Sequence, residues 1–391
     1  MFLPSYVLTA LGILKQNGIE GYAVGGCVRD ALLGSVPDDY DIAVSCRPEK
    51  TKECFKDFKV IETGIRHGTV TVVIEKHNLE LTSFRVDGEY KDMRRPEDVT
   101  FTPFLKEDLS RRDFTVNAMA YSPETGTVDL FGGREDLKKK LIRCVGEPDK
   151  RFGEDALRIL RALRFSSVLG FSIEENTAAS VIKNRDNLKK ISAERVFVEL
   201  KKLLEGKNSF EVLKKYKSVL ASVIPELIGV PDDEYALCAE KASELKNGVL
   251  SFAAILLPLG EDKAERILRA LKTDNAFRET AVFLIANAKT QFTSIGEARR
   301  FLGKYGKKPC ERLVLFKNAF GSGDAFLQEA LENNGGALKT TDLKIKGRDL
   351  ERLGFTGKEI GEALERLLGE VSEDRLANEK AELLAFCLRD V

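Results

Sequence analysis

Histidine is almost absent from this chain of 391 residues: there are two, His67 and His77, both near the N-terminus. Histidine metal clusters and Ser-His-Asp catalysis therefore have little material to work with. His67, within Arg66-His67-Gly68-Thr69, reads as a turn residue. The seven cysteines, at positions 27, 46, 54, 144, 238, 310 and 387, are odd in number and never form Cys-x-x-Cys. That argues against a disulfide framework or a cysteine zinc site and fits inert thiols in a reducing compartment. Long apolar runs are missing too. The longest, Leu250 to Leu259, contains Pro258 and falls well short of the ~20 residues that span a bilayer. The start, Met1-Phe2-Leu3-Pro4, lacks the basic segment of a signal peptide. A soluble, cytoplasmic protein with no membrane partner is expected. Net charge is absent as well, with 62 Lys+Arg against 62 Asp+Glu, so no global basic signal points to nucleic acid.

What is present is unevenly placed. Between Leu137 and Lys217 there are 20 Lys+Arg and 11 Asp+Glu, so a basic middle is flanked by acidic ends. A localised anion-binding surface would have this signature, as would an ordinary solvated helix face. The length suits roughly two to four domains. Before Leu137, strand and helix signals mix. Val70-Thr71-Val72-Val73-Ile74 is β-branched and strand-like, and Leu79 to Arg85 reads as a second strand after a hairpin through His77-Asn78. Asp87 to Pro96 is a charged loop, a candidate mobile element over a site. Beyond Leu137 strand signals nearly vanish. Arg151 to Phe171 reads as one helix, with Ala156, Ile159, Leu160 and Leu163 at i, i+3, i+4, i+7. Further helices follow, broken at Ile224-Pro225, Gly229-Val230-Pro231 and Gly335-Gly336. The fold class expected is α+β, a mixed N-terminal domain followed by a long all-helical body.

Chemistry concentrates in the first half. Gly25-Gly26-Cys27-Val28-Arg29-Asp30 is a Gly-Gly turn opening a helix, a place where backbone N–H groups can approach a phosphate closely. Asp39-Tyr40-Asp41 follows, and carboxylates two apart on a strand share a face. Together they could hold a hard divalent cation against a triphosphate. Glu80, in an apolar strand, is a third ligand, a support for one, or a surface residue. Arg111, Arg112 and Asp113, followed by Asn117, could clamp phosphate and ribose or form a structural ion pair. Arg158, Arg161 and Arg164 recur every third residue as a basic band. Asp155 and Arg158, three apart, could pair with each other. They could instead read a base edge: cytosine and adenine each offer an amino donor beside a ring-nitrogen acceptor, matching Asp plus Arg. Guanine and uracil would meet donor with donor and acceptor with acceptor.

In their order along the chain, Gly25-Gly26-Cys27-Val28-Arg29-Asp30, Asp39-Tyr40-Asp41, Asp87-Gly88 with Arg94-Arg95-Pro96, Arg111-Arg112-Asp113 and Glu154-Asp155-Ala156-Leu157-Arg158 resemble the motifs of class II CCA-adding tRNA nucleotidyltransferases. Ile191-Ser192-Ala193-Glu194-Arg195 and the Asp342–Leu350 tail resemble later segments of that family, so the likeness spans nearly the whole chain. It implies a nucleotidyltransferase head at 1–137, a base-templating helical neck at 138–205, a helical body at 206–280 and a helical tail at 281–391 holding the tRNA elbow. It implies two Mg²⁺ ions on Asp39 and Asp41; Glu80, read from its apolar strand beside the Asp strand, joins them as a candidate catalytic carboxylate. Gly25, Gly26 and Arg29 would meet the triphosphate, and Arg111, Arg112, Asp113 and Asn117 would position phosphate and ribose. Asp155 and Arg158 would template the base, with Arg161 and Arg164 lining the site. The implied substrates are CTP, ATP and the 3′ end of tRNA, and no protein partner is implied.

A partial enzyme, adding only CC or only A, is one alternative; the segment from Asp87 to Pro96 resembles the loop that lets relatives switch from C to A, which argues against the CC-only form. A poly(A) polymerase shares the head motifs but tends to carry a basic tail, whereas this chain ends Asp390-Val391. With no histidine beyond His77, a C-terminal histidine-dependent phosphohydrolase domain is not expected. A catalytically silent RNA-binding protein on the same fold is the remote alternative, opposed by the intact Asp39 and Asp41.

Overall fold

In the computed structural model, which describes residues 1–88, 99–333 and 336–388, the N-terminal sheet grows from short β-branched and aromatic runs. Along β4, Thr69–Ile74, the side chains of Val70, Val72 and Ile74 are buried while the residues between them are only partly covered. This is the alternation of a strand with one face on a core. The partner β5, His77–Ser83, pairs antiparallel from Ile74↔His77 to Thr69↔Thr82. The turn is therefore Glu75-Lys76, with φ of +51° and +68°, and not the His77-Asn78 expected from sequence. Two residues at positive φ match the twist of a tight hairpin, and neither is the glycine or asparagine that signals one. Arg85 belongs to a separate ribbon, β6 Arg85–Asp87 paired with β7 Val99–Phe101. Most of the charged loop from Asp87 to Pro96 lies outside the described residues.

The main sheet adds β1 Gly21–Val24, β2 Asp41–Val44, β3 Lys59–Ile61, β8 Met119–Ser122 and β9 Gly126–Asp129, in the order β3-β4-β5-β2-β1-β8-β9. Its neighbours run antiparallel except β2 and β5, which are parallel with Asp41 opposite Glu80. That register sets the two carboxylates side by side on one face. Under the sheet, Tyr22, Val24, Ala43, Phe84, Leu109 and Ala120 form a buried cluster.

Among the described residues after Lys140 the regular structure is helical apart from the two-residue strands Leu141–Ile142 and Ser172–Ile173. The long helix expected from Arg151 to Phe171 is two: Pro148–Glu154 and Leu157–Leu169. Asp155 between them is extended, at φ −137° and ψ 103°. The expected stripe holds, with Ala156, Ile159, Leu160 and Leu163 wholly buried. Helix Leu157–Leu169 ends at Gly170 in the left-handed region and packs on Ala193–Leu204.

The chain forms two compact units, Met1–Gly229 and Val230–Val391. The second is built of helices, from Asp232–Leu245 to Lys380–Cys387. Its interior contains Lys317 paired with Asp324 at 3.3 Å, both almost fully buried. The buried Arg299 donates to the Ser372 carbonyl at 2.8 Å. Among the described residues, no helix is long and apolar enough to cross a membrane. All seven cysteines are free thiols, five of them buried.

Candidate active site

Strand β1 gives way at Gly25, just past its end, with φ +77° and ψ −129°. A Cβ built there would lie 3.1 Å from the Arg112 guanidinium, which would have to yield slightly; it is the backbone angle that favours glycine. Helix Gly26–Leu32 follows directly and carries Arg29, which is largely buried. Arg29 Nη1 donates to Asn117 Oδ1 at 2.6 Å, and its other nitrogens bind Asp30 at 2.8 and 2.9 Å. Asn117 Nδ2 in turn donates to Asp113 Oδ1 at 3.1 Å. The same carboxylate accepts the Phe114 N–H at 2.8 Å and the Arg161 Nε at 2.8 Å. Burial alone would raise the Asp113 pKa, but Arg161, Asn117 and the Phe114 amide hold it down at about 2. A line of bonds thus runs from the glycine turn to helix Leu157–Leu169.

Arg111 and Arg112 both pair with the buried Asp108, at 2.6 and 3.1 Å. Burial opposes the charge on Asp108, yet the two guanidinium groups keep its pKa below the usual carboxylate range. Arg158 donates to Glu154 at 2.7 Å and to the Arg111 carbonyl at 3.0 Å. Asp155 instead pairs with Arg195, at 2.8 Å, and accepts the Leu157 N–H at 3.0 Å. The Asp155–Arg158 ion pair anticipated from their spacing is therefore not the one formed. With Asp155 outside the helix, the three-residue spacing no longer makes the two side chains helical neighbours. Arg164 pairs with the buried Glu199 at 2.7 Å, and Arg161 lies 3.9 Å from the same residue.

Asp41 opens strand β2 and faces this arginine-rich space, with Glu80 opposite it. Its carboxylate keeps a path to solvent. Even so, the protein packed around it, then Glu80 and Asp39, push its pKa up to about 6, against the pull of Arg112. Asp39 precedes the strand and is exposed. Among the described residues no three His, Cys, Asp or Glu side chains converge closely enough to hold a metal ion. The donor set nevertheless fits one: Asp41, whose pKa is raised in part by Glu80 and Asp39, is relieved by a hard cation, which prefers oxygen ligands and completes its shell with water and phosphate.

These groups surround a cleft of about 430 Å³, a size suited to a nucleotide. Gly25, Gly26, Arg29 and Asp41 line one side, and Arg111, Arg112, Asp113 and Asn117 another. Asp155, Arg158, Arg161 and Arg164 complete it. Of the residues singled out from sequence, Asp39 and Glu80 do not line this cleft. Sequence reasoning gave no role to Phe165 and Arg195, which do, nor to Glu199. Arg195 and Glu199 are four apart on Ala193–Leu204, one helical turn, so a shared face was the available signal.

Three family models match the chain: the poly A polymerase head domain at 21–143, the RNA- and SrmB-binding site of polymerase A at 170–227, and tRNA nucleotidyltransferase domain 2 at 244–387. A CCA-adding enzyme of Lactobacillus delbrueckii subsp. bulgaricus is 39% identical over 379 residues, covering 95% of this chain and 94% of the relative. One from Streptococcus suis is 36% identical, with 98% and 97% covered. The crystal structure of the Bacillus stearothermophilus CCA-adding enzyme in complex with CTP superposes with a TM-score of 0.82 at 32% identity, covering 100% of this chain and 98% of the other.

Proposed function

Because this chain belongs to the CCA-adding enzymes, which are tRNA nucleotidyltransferases, we propose that the cleft lined by Gly25, Asp41, Arg112 and Arg161 is where it transfers nucleotides. The enzyme adds C, C and A to the 3′ end of tRNA, without a nucleic-acid template, from CTP and ATP. The observation that carries the site assignment is the meeting, in one cleft, of a glycine turn, a raised carboxylate and the Arg29, Arg112, Arg161 and Arg164 guanidinium groups.

The tRNA 3′-hydroxyl attacks the α-phosphate and pyrophosphate leaves. Gly25 lets the backbone come close to the triphosphate, and Arg29, Arg161 and Arg164 present positive charge to its oxygens. Arg111 and Arg112, anchored by Asp108, and Arg29, anchored by Asn117, arrive with few rotamers left to lose, which favours positioning as a source of rate. Asp41, with Asp39 and Glu80 beside it, would hold Mg²⁺. A magnesium pair there would supply charge that activates the attacking hydroxyl and stabilises the leaving oxygen. The base edge meets Asp155 and Arg158, exchanging into their present pairs with Arg195 and Glu154. An acceptor beside a donor suits cytosine and adenine and repels guanine and uracil. We assign 1–137 as head, 138–205 as neck, 206–280 as body and 281–391 as the tail that holds the tRNA elbow.

The test is a tRNA transcript lacking its 3′ end, incubated with four NTPs and Mg²⁺ and read at nucleotide resolution. Three added residues, drawn only from CTP and ATP and lost in Asp41→Asn, are expected. A long A ladder would make the chain a poly(A) polymerase, a halt after two C a partial enzyme, and no addition a silent RNA-binding relative.

A further inference from the structure

Three guanidinium groups share one phenyl ring in the cleft. Arg164 lies over Phe165 at 4.0 Å from its centroid, with Arg29 at 5.2 Å and Arg161 at 5.3 Å. Arg29 comes from the helix after the glycine turn, whereas Arg161 and Arg164 come from Leu157–Leu169. The ring itself is held: Phe165 is 6% exposed and meets the wholly buried Phe114 edge-on, at 5.8 Å and 80°. Each has its own carboxylate, Arg29 with Asp30, Arg161 with Asp113 and Arg164 with Glu199, but those three carboxylates lie on different elements, and the surface the three guanidinium groups have in common is the Phe165 ring. An aromatic face attracts a cation through its quadrupole, and an aliphatic side chain of similar volume does not.

We propose that Phe165 is a positioning residue for the triphosphate: its ring face gathers Arg29, Arg161 and Arg164 into one cradle that serves CTP and ATP alike. This rests on the cleft being the nucleotide site. Its role acts through the arginines, so it should govern phosphate binding and leave base choice alone. Replacing the ring by leucine or methionine keeps most of the apolar volume but removes the quadrupole, whereas tyrosine keeps both.

The experiment compares full-length wild type with Phe165→Leu, Phe165→Met and Phe165→Tyr. It measures calorimetric binding of inorganic tripolyphosphate and KM and kcat for CTP and ATP on truncated tRNA, with melting as a check on folding. We expect Leu and Met to weaken tripolyphosphate binding and raise both KM values together by about tenfold, the scale of a desolvated cation–ring contact. Tyr should stay near wild type, with C and A still chosen over G and U. Unchanged binding in Leu or Met, an equal loss in Tyr, or a KM change for one nucleotide alone would overturn the proposal. If wild type itself neither binds tripolyphosphate nor uses CTP and ATP, the nucleotide-site reading fails first. A wild type that does both beside an unaffected Leu variant sinks only the role of Phe165.

Discussion

A buried carboxylate stays charged only where enough donors face it, and Asp113 is such a residue. Its folded pKa of about 2 lies below the ~3.9 of an unfolded aspartate. The interaction therefore contributes stability that is fully present above about pH 4 and is lost as pH falls toward 2. The shift corresponds to about 2 kcal/mol. Asp113→Asn should melt lower than wild type at neutral pH, and the gap should shrink between about pH 4 and pH 2 in a series of thermal melts. A gap constant across that window would show that Asp113 contributes packing and not charge. Gly25 is governed by backbone geometry instead. Gly25→Ala forces φ +77° on an L-residue and drives a methyl toward Arg112, at a cost of about 1–3 kcal/mol. Arg112 would be displaced, so kcat/KM for both nucleotides should fall by about tenfold or more. An alanine variant with wild-type kinetics would remove the turn from the mechanism.

Elements here are defined by contacts that periodicity does not carry. Lys76 sits at φ +68° in the hairpin between Thr69–Ile74 and His77–Ser83, where glycine is at ease. Lys76→Gly should raise stability by about 0.5 kcal/mol and leave nucleotide addition unchanged, measured by denaturant midpoint and primer extension. A lower midpoint would mean that loss of chain stiffness outweighs the relief of strain. Helix Ala193–Leu204 acts across a greater distance in sequence. Its Arg195 holds Asp155, 40 residues away, so Arg195→Ala leaves a part-buried carboxylate without its partner. Removing one member of such a pair costs about 2 kcal/mol or more, and kcat/KM for CTP and ATP should fall together by at least about tenfold. Selective loss of one nucleotide would contradict a common anchor. The glycine turn, the Asp41 strand and the stripe from Ala156 to Leu163 were legible because each is a local pattern. The break at Asp155 was not: Gly153 stands two residues before it but lies inside helix Pro148–Glu154, and Asp155 itself is no helix breaker. Nor were the pairs Asp155–Arg195 and Arg164–Glu199, which exist only once two helices pack.

At the scale of the molecule, a net charge of zero conceals a division of labour. The segment from Leu137 to Lys217 has 20 Lys+Arg against 11 Asp+Glu, and several of its cations are committed within the fold: Arg158, Arg161 and Arg164 to Glu154, Asp113 and Glu199, and Arg195 to Asp155. Lysines of the same segment, among them Lys138, Lys139 and Lys140, are exposed; Lys138 and Lys139 pair with Glu135 at the surface, at 3.9 and 3.4 Å, and such solvent-exposed pairs exchange readily for phosphate. Binding of a folded RNA through such contacts releases counterions, so affinity falls with salt in proportion to the number of phosphates neutralised. The dissociation constant for tRNA should therefore rise steeply between about 50 and 200 mM salt. CTP binding, which we assign to the arginine cleft with its fixed and part-buried groups, should respond much less, because buried charges are screened less than exposed ones. Replacing Lys138, Lys139 and Lys140 by alanine should flatten the tRNA salt slope by up to about one unit per residue that contacts phosphate, without changing which nucleotides are added. Filter binding across a salt series, beside calorimetry with CTP, separates the two surfaces. Equal salt slopes for tRNA and CTP would mean that both ligands are read by the same charges, and the basic middle would lose its separate role.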